Sequence, residues 1–171
     1  RENRPFYFEF SVNEKVALEV AFGASIKGVL SCVFFKSVGL NVASDSFVQL
    51  SLLELRGGMV ILLGDDPGAN SSQNEQDNRH YAMLSYIPVF EPSSVQETYE
   101  MYLKAAELSR KLKMPVILRL TTHVCHQKEK VSFGLYNPSI IKEEIGFHSY
   151  DLSYIPITET VFPKKIRALE K

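Results

Sequence analysis

Hydrophobic and polar positions change period several times along the chain, and each change marks an element. Phe6-Tyr7-Phe8-Glu9-Phe10 is aromatic-rich and predicts a strand. Ser11 and Asn13 offer helix caps, after which Val16, Ala17, Val20, Ala21 and Ala24 recur at helical spacing. That pattern predicts a helix over residues 13–27 with a face of small side chains, ended by Gly28. Val29-Leu30-Ser31-Cys32-Val33-Phe34-Phe35 reads as a buried strand and residues 36–41 as a loop. Phe47, Leu50, Leu53 and Leu55 then define one helix. Arg56-Gly57-Gly58 turns the chain into Met59-Val60-Ile61-Leu62-Leu63, its most hydrophobic short run.

This run releases into residues 64–79, a long stretch with almost no apolar content. Long ordered loops in compact domains are usually functional, and ligands of open α/β sheets bind beyond the carboxyl ends of strands. Residues 75–84 could form a short helix, and Ile87-Pro88-Val89-Phe90 a short strand. Ser93 is the expected cap of a long helix, with Glu97 in its first turn and Val95, Tyr99, Tyr102, Leu103, Ala106 and Leu112 at helical spacing. Met114-Pro115 stops that helix ahead of a buried strand, Val116-Ile117-Leu118-Arg119-Leu120. Strands alternating with helices of this length imply parallel βαβ units. The expected fold is α/β, a doubly wound and mainly parallel sheet flanked by helices. From Gln127 the pattern dissolves around Asn137-Pro138, Ile155-Pro156 and Phe162-Pro163. Residues 1–126 therefore read as the domain, and residues 127–171 as an extended arm with a short helix over residues 164–171.

Totals narrow the picture without changing it. The chain has 171 residues, 45% hydrophobic and 23% charged, with a formal net charge of -1. These values suit one soluble domain, and without a basic run nothing points to nucleic acid or an anionic membrane surface. No apolar run approaches a membrane span. Cys32 and Cys125 are too sparse for a secreted disulfide scaffold and read as buried free thiols. A reducing cytoplasm is the expected compartment. The opening Arg1-Glu2 fits a fragment or a processed chain.

Few residue groups carry chemistry on pattern alone. Asp65-Asp66 could hold a divalent metal, or one of them could cap the turn beside Pro67-Gly68. His123, Cys125 and His126 lack a second ligand pair at zinc spacing, and alternation on a strand would send His126 to the other side. The reading is that no metal is bound here. Asn70-Ser71-Ser72 matches a glycosylation acceptor, which has meaning only in a secreted chain. Ser72 lacks a nucleophile elbow, and neither a dinucleotide fingerprint nor a P-loop is present. Glu14 stands at a helix start, where the helix dipole alone favours a carboxylate by roughly 0.3–1 kcal/mol.

Four linked stretches go further. Asn13-Glu14-Lys15-Val16-Ala17-Leu18-Glu19, Lys36-Ser37-Val38-Gly39-Leu40-Asn41-Val42-Ala43, Asp65-Asp66-Pro67-Gly68 and Ser71-Ser72-Gln73-Asn74-Glu75-Gln76-Asp77 lie in order. Together they resemble the flavodoxin-like pyrimidine-binding domain of thiamine-diphosphate-dependent 2-oxoacid:ferredoxin oxidoreductases. The nearest branch is the alpha subunit of the indolepyruvate enzymes. The match runs over residues 6–126, and Ile87-Pro88-Val89, Glu91-Pro92-Ser93 and Pro115-Val116-Ile117-Leu118-Arg119 fit it as well.

The resemblance implies a role for Glu14: hydrogen-bonding N1′ of the cofactor's aminopyrimidine and so promoting deprotonation of thiazolium C2. Such chemistry needs a carboxyl able to share a proton. It further implies that Gly39 and Asn41 face the cofactor, and that Lys36, Ser72, Gln73 and Asn74 belong to the substrate side. On position alone Lys36 reads more readily as a solvated surface charge, and Gln73 and Asn74 read equally as loop-fixing groups. Other implied components are a diphosphate-binding domain supplying magnesium, a second subunit, coenzyme A as co-substrate, ferredoxin as acceptor and an oligomeric assembly. Iron–sulfur clusters would lie elsewhere, because two separated cysteines cannot hold one. Gly64-Asp65-Asp66 does not match the family's diphosphate motif, since a third glycine is missing and Asn70 is too close. The chain therefore reads as half of a cofactor site, not competent alone. The rival reading is a non-catalytic or regulatory domain of the same fold that only binds a partner.

Overall fold

Strand β2 (Met59–Asp65) is covered on both sides, and its alternation sets the layering of the molecule. The computed structural model describes residues 6–134, 154 and 158–171. Within them the order is α1 (Glu14–Ile26), β1 (Ser31–Lys36), α2 (Ser37–Leu50), β2, α3 (Arg79–Ser85), β3 (Val89–Phe90), α4 (Val95–Leu112), β4 (Val116–Thr121), α5 (Thr122–Cys125) and α6 (Thr158–Glu170). The strands make a four-stranded sheet in the order β1-β2-β4-β3, with every pairing parallel. Helices cover both faces, as the alternation of strand and helix predicts.

Side chains of β2 divide between two cores. Met59, Ile61 and Leu63 join Leu18 of α1 and Leu40, Ala43 and Phe47 of α2 on one face. Val60 meets Val116, Leu118 and Ala105 of α4 on the other. Edge strand β1 is covered on one face only, so Val33 is buried while Phe34 is exposed. Helix α4 is fastened by Ser109, which is fully buried. Its hydroxyl accepts from the Met59 N–H at 2.7 Å and lies 2.6 Å from the Met114 carbonyl it can donate to.

Several expectations are corrected. Residues 6–10 form no strand: their backbone pairs with nothing in the sheet, and Phe6, Tyr7, Phe8 and Phe10 are exposed. Phe8 instead stacks on Phe34, with ring centroids 6.2 Å apart. The buried stripe of α1 is Leu18, Ala21, Ser25 and Ile26, whereas Val20 of the expected face is exposed. Residues 36–41 are not a loop, because α2 starts at Ser37. Gly39, Leu40, Ala43, Phe47 and Leu50 are buried at helical spacing from its first turn onward. The helix closes at Leu50, with Leu53 and Leu55 buried beyond it.

Further along, α3 starts only at Arg79, and Ser94 rather than Ser93 caps α4. Ser94 Oγ accepts from the Glu97 N–H while the Glu97 carboxylate accepts from the Ser93 N–H, a capping box shifted by one residue on its return bond. His123 and Cys125 sit in the short helix α5, so strand alternation does not apply to them. Both thiols are free, but neither is buried. Helix α6 begins at Thr158 and runs through Pro163, which the sequence pattern treats as a break. Most of the expected arm lies outside the described residues. Its first part runs along α4, where Gln96 pairs with both backbone groups of Ser132. No helix among the described residues is long and apolar enough to cross a membrane.

Ser109→Ala should lower unfolding free energy by about 1–3 kcal/mol, because it strands a buried backbone N–H. Urea denaturation measures this, and a change inside error would show that the hydroxyl does not fasten α4 to the sheet.

Candidate active site

Parallel pairing sends the carboxyl ends of β1, β2 and β4 to one edge, where Lys36 lies opposite Gly64 and Asp65 opposite Thr121. Helix α1 precedes β1 by a short connection and runs antiparallel to it, so its first residue returns to the same edge. That residue is Glu14, four positions ahead of buried Leu18 and therefore on the inward stripe of the helix. Asn13 caps the helix, its Oδ1 accepting from the Val16 N–H at 2.9 Å.

Glu14 meets α2 at Gly39. A Cβ built on Gly39 would come within 2.6 Å of Glu14 Cγ and 3.0 Å of its Oε1. Only glycine allows this approach. The Glu14 carboxyl has no hydrogen bond or ion pair with the described residues. The helix-start glutamate and the glycine are thus brought together, although they lie on different elements.

Residues 64–78 close over the start of α2 through side-chain bonds. Lys36 Nζ donates to the Ser71 carbonyl at 2.9 Å. Gln76 Oε1 accepts from Asn41 Nδ2 at 2.8 Å, and the two hydrogens of its Nε2 have three acceptors in reach: the Ser37 carbonyl at 2.9 Å, Asn41 Oδ1 at 3.1 Å and Asn78 Oδ1 at 2.6 Å. Tyr81 Oη donates to Asn41 Oδ1 at 2.7 Å. Asn41 and Lys36 are exposed, yet both are tied to the polar stretch. Ser72 is half-buried, its hydroxyl near the Asp66 carboxylate but without a well-formed hydrogen bond. Gln73 and Asn74 are exposed and bond to none of the described residues. The structure therefore joins Glu14 to Gly39, and Lys36 and Asn41 to the loop, but leaves Gln73 and Asn74 apart.

The paired aspartates separate. Asp65 is buried against Arg119, with Oδ2 2.5 Å from Nε, and accepts from Asn78 Nδ2 at 2.9 Å. Arg119 is itself buried and reaches Glu91 at 2.7 Å. Asp66 caps the turn, accepting from the Ser71 N–H at 2.7 Å and from Asn70. Chiefly because of that backbone bond, its pKa is lowered to about 2. The turn-capping alternative is thus the one observed for Asp66. Asp77 is held well below the usual carboxylate range by its bond to the Arg79 guanidinium. Among the described residues no three His, Cys, Asp or Glu side chains gather in a cluster that could hold a metal.

Three residues of this network have no signal in the sequence pattern. Gln76 and Asn78 stand in the polar stretch with nothing to single them out, and Arg119 lies inside a strand. Only an arginine within an otherwise apolar run could have hinted at a buried partner.

Over residues 6–159 the sequence matches the family described as pyruvate flavodoxin/ferredoxin oxidoreductase, thiamine diphosphate-binding. The chain belongs to that family. It is 47% identical over 165 residues to indolepyruvate oxidoreductase subunit IorA of Methanothermobacter marburgensis, covering 96% of this chain and 26% of that protein. The Archaeoglobus fulgidus protein of the same name is 41% identical over 170 residues, covering 99% of this chain and 26% of its own length. The Methanothermobacter thermautotrophicus protein is 57% identical over 128 residues, covering 75% of this chain and 21% of its length. The chain thus spans about a quarter of the length of these relatives.

Two outcomes check this geometry. In a Glu14→Ala background, Gly39→Ala should stabilise the helix by up to about 1 kcal/mol through propensity alone. In the wild type the collision with Glu14 should cancel that gain, a coupling of at least roughly 0.5 kcal/mol in a double-mutant cycle. Additive effects would show that the two residues do not touch. The Asp66 pKa lies below its unfolded value of about 3.9, so its contribution is complete above that value and fades as pH falls towards about 2. The Ser71 amide resonance should titrate with a midpoint near 2. A midpoint near 4 would show that the loop does not hold the carboxylate.

Proposed function

We propose that this chain forms the aminopyrimidine side of a thiamine diphosphate site in a 2-oxoacid oxidoreductase, with an arylpyruvate of the indolepyruvate type as substrate. The observation that carries the proposal is the Glu14 carboxyl, unpaired among the described residues and seated against Gly39. Both fit the cofactor: an acceptor without a protein partner, and a backbone without a Cβ beside it. When bound, thiamine diphosphate supplies a nucleophilic thiazolium carbon and an electron sink for decarboxylation.

In this reading Glu14 shares a proton with N1′ of the ring. Its place on the inward stripe of α1 lets the Leu18 and Ala21 packing fix where that proton sits. Gly39 keeps the ring side of the carboxyl open. Asn41, held by Gln76 and Tyr81, presents a fixed amide edge beside it. Lys36 spends one donor on Ser71 and has two more for a substrate carboxylate, which supports reading it, with Ser72, Gln73 and Asn74, as the substrate side.

The remaining parts belong outside this chain. A diphosphate-binding domain would supply magnesium, a second subunit would complete the assembly, coenzyme A would take the acyl group and ferredoxin the electrons. The names of the relatives support the indolepyruvate assignment.

In the assembled enzyme, Glu14→Gln should lower thiamine-dependent reduction of a viologen by 2-oxoacid about 10²–10⁴-fold, the usual worth of a positioned proton-transfer group. Glu14→Asp should fall between. Unchanged turnover in Glu14→Gln would sink the proposal.

A further inference from the structure

We infer that Gln76 is a positioning residue for Glu14. It brackets the first turn of α2 and so sets the Gly39 surface on which the Glu14 carboxyl rests. This inference depends on the role of Glu14 proposed above.

The bracket is defined by where the bonds of Gln76 land. Its amide reaches the Ser37 carbonyl, two residues before Gly39, and the Asn41 side chain, two residues after it. Gly39 is therefore held from both flanks by one side chain. Lys36, the N-cap residue of α2, makes no capping bond, and its Nζ donates instead to the Ser71 carbonyl of the loop. An uncapped helix start leaves its first N–H groups without fixed partners and frays readily. Gln76 does not cap those N–H groups, but it tethers the turn to the loop through the Ser37 carbonyl and the Asn41 side chain.

The bracket is anchored in the core rather than floating on the surface. Gln76 Nε2 also lies 2.6 Å from Asn78 Oδ1, and Asn78 is buried and donates to Asp65. Asp65 is fixed by the buried Arg119. A continuous set of bonds thus connects a buried ion pair at the sheet edge to the backbone beside Glu14. Gln73 and Asn74 have no such connection, so the effective residue of the polar stretch lies two positions after Asn74.

A Cβ on Gly39 would lie 2.6 Å from Glu14 Cγ, so the Glu14 side chain rests against this turn and is exposed to any displacement of it. A misplacement of about 1 Å can cost on the order of 10²-fold in rate.

The test uses the assembled full-length enzyme and two readouts, deuterium exchange at C2 of bound thiamine diphosphate and 2-oxoacid-dependent viologen reduction. Gln76→Leu keeps the volume and removes every bond. It should slow both readouts by roughly 10–100-fold while leaving KM for the 2-oxoacid within about threefold. Gln76→Glu keeps the shape but turns the donor into a charged acceptor. It should be as slow as Gln76→Leu at about pH 8 and recover relative to wild type towards about pH 6, where the half-buried carboxyl regains a proton to donate. A purely structural defect would give no such recovery.

Exchange in Gln76→Leu within about twofold of wild type, with Glu14→Gln abolishing it, overturns the positioning role alone. A wild-type pH profile in Gln76→Glu does the same. Unchanged exchange in Glu14→Gln overturns the Glu14 reading and this inference with it. If Gln76→Leu fails to assemble, Asn41→Ala removes one arm of the bracket and should slow exchange by about three- to tenfold. No slowing there is equally fatal.

Discussion

The buried ion pair between Arg119 and Asp65 is the constraint on which the site edge depends. Two charges placed in the interior are costly unless further hydrogen bonds complete them, and removing one partner of such a pair costs about 3–5 kcal/mol. Here the completion comes from outside the strands. Asn78 donates to the second Asp65 oxygen, and Glu91 takes another edge of the guanidinium. Arg119 sits on β4 and Asp65 ends β2, so the pair lies between neighbouring parallel strands at their carboxyl ends. The polar stretch is thereby drawn back onto the sheet as it leaves β2. Every later contact of that stretch with α2 starts from this fixed point.

A second constraint acts from the other side. The helical period that buries Leu18, Ala21 and Ser25 places Glu14 on the same stripe, one turn beyond the core. The absent Cβ at Gly39 then decides how closely the two helices approach at that point. Glycine inside a helix usually costs about 0.5–1 kcal/mol relative to alanine. The close approach of the Glu14 side chain is a reason for the position to carry that cost.

What was legible in the sequence follows from the range of each interaction. The parallel α/β class was readable because β2 and β4 are covered on both sides and appear as apolar runs, broken in β4 only by Arg119. The cap of α1 and the capping box of α4 are local chemistry within four residues, so they could be placed to within one position. The strand at residues 6–10 failed because aromatic alternation reports a surface that packs, and Phe8 packs on Phe34 without pairing its backbone. The start of α2 was missed because Lys-Ser-Val-Gly looks like a loop until Leu40, Ala43 and Phe47 are known to face a core. The buried face of α1 was misjudged for the same reason, since small residues form more than one helical stripe. Glu14 and Gly39 came through resemblance, not through pattern. Gln76 and Asn78 could not be found, because their partners lie across the fold on α2 and β2.

The polar groups of this edge differ in one respect that matters for chemistry. Asp65, Asp66, Asn41, Gln76 and Asn78 are consumed by bonds to one another or to backbone. They form a wall whose geometry is set before any ligand arrives, and a fixed wall lowers the ordering cost of binding. Glu14 touches that wall and is not consumed by it. Under the proposed function the site is assembled from two pieces of protein, and such a site needs this division. The scaffold must be complete within one piece so that it does not collapse, while the reactive group stays free for what the other piece brings. A carboxyl satisfied by its own domain would be stable and inert. One held in place through a neighbouring glycine, rather than through its own oxygens, keeps both oxygens available for proton transfer.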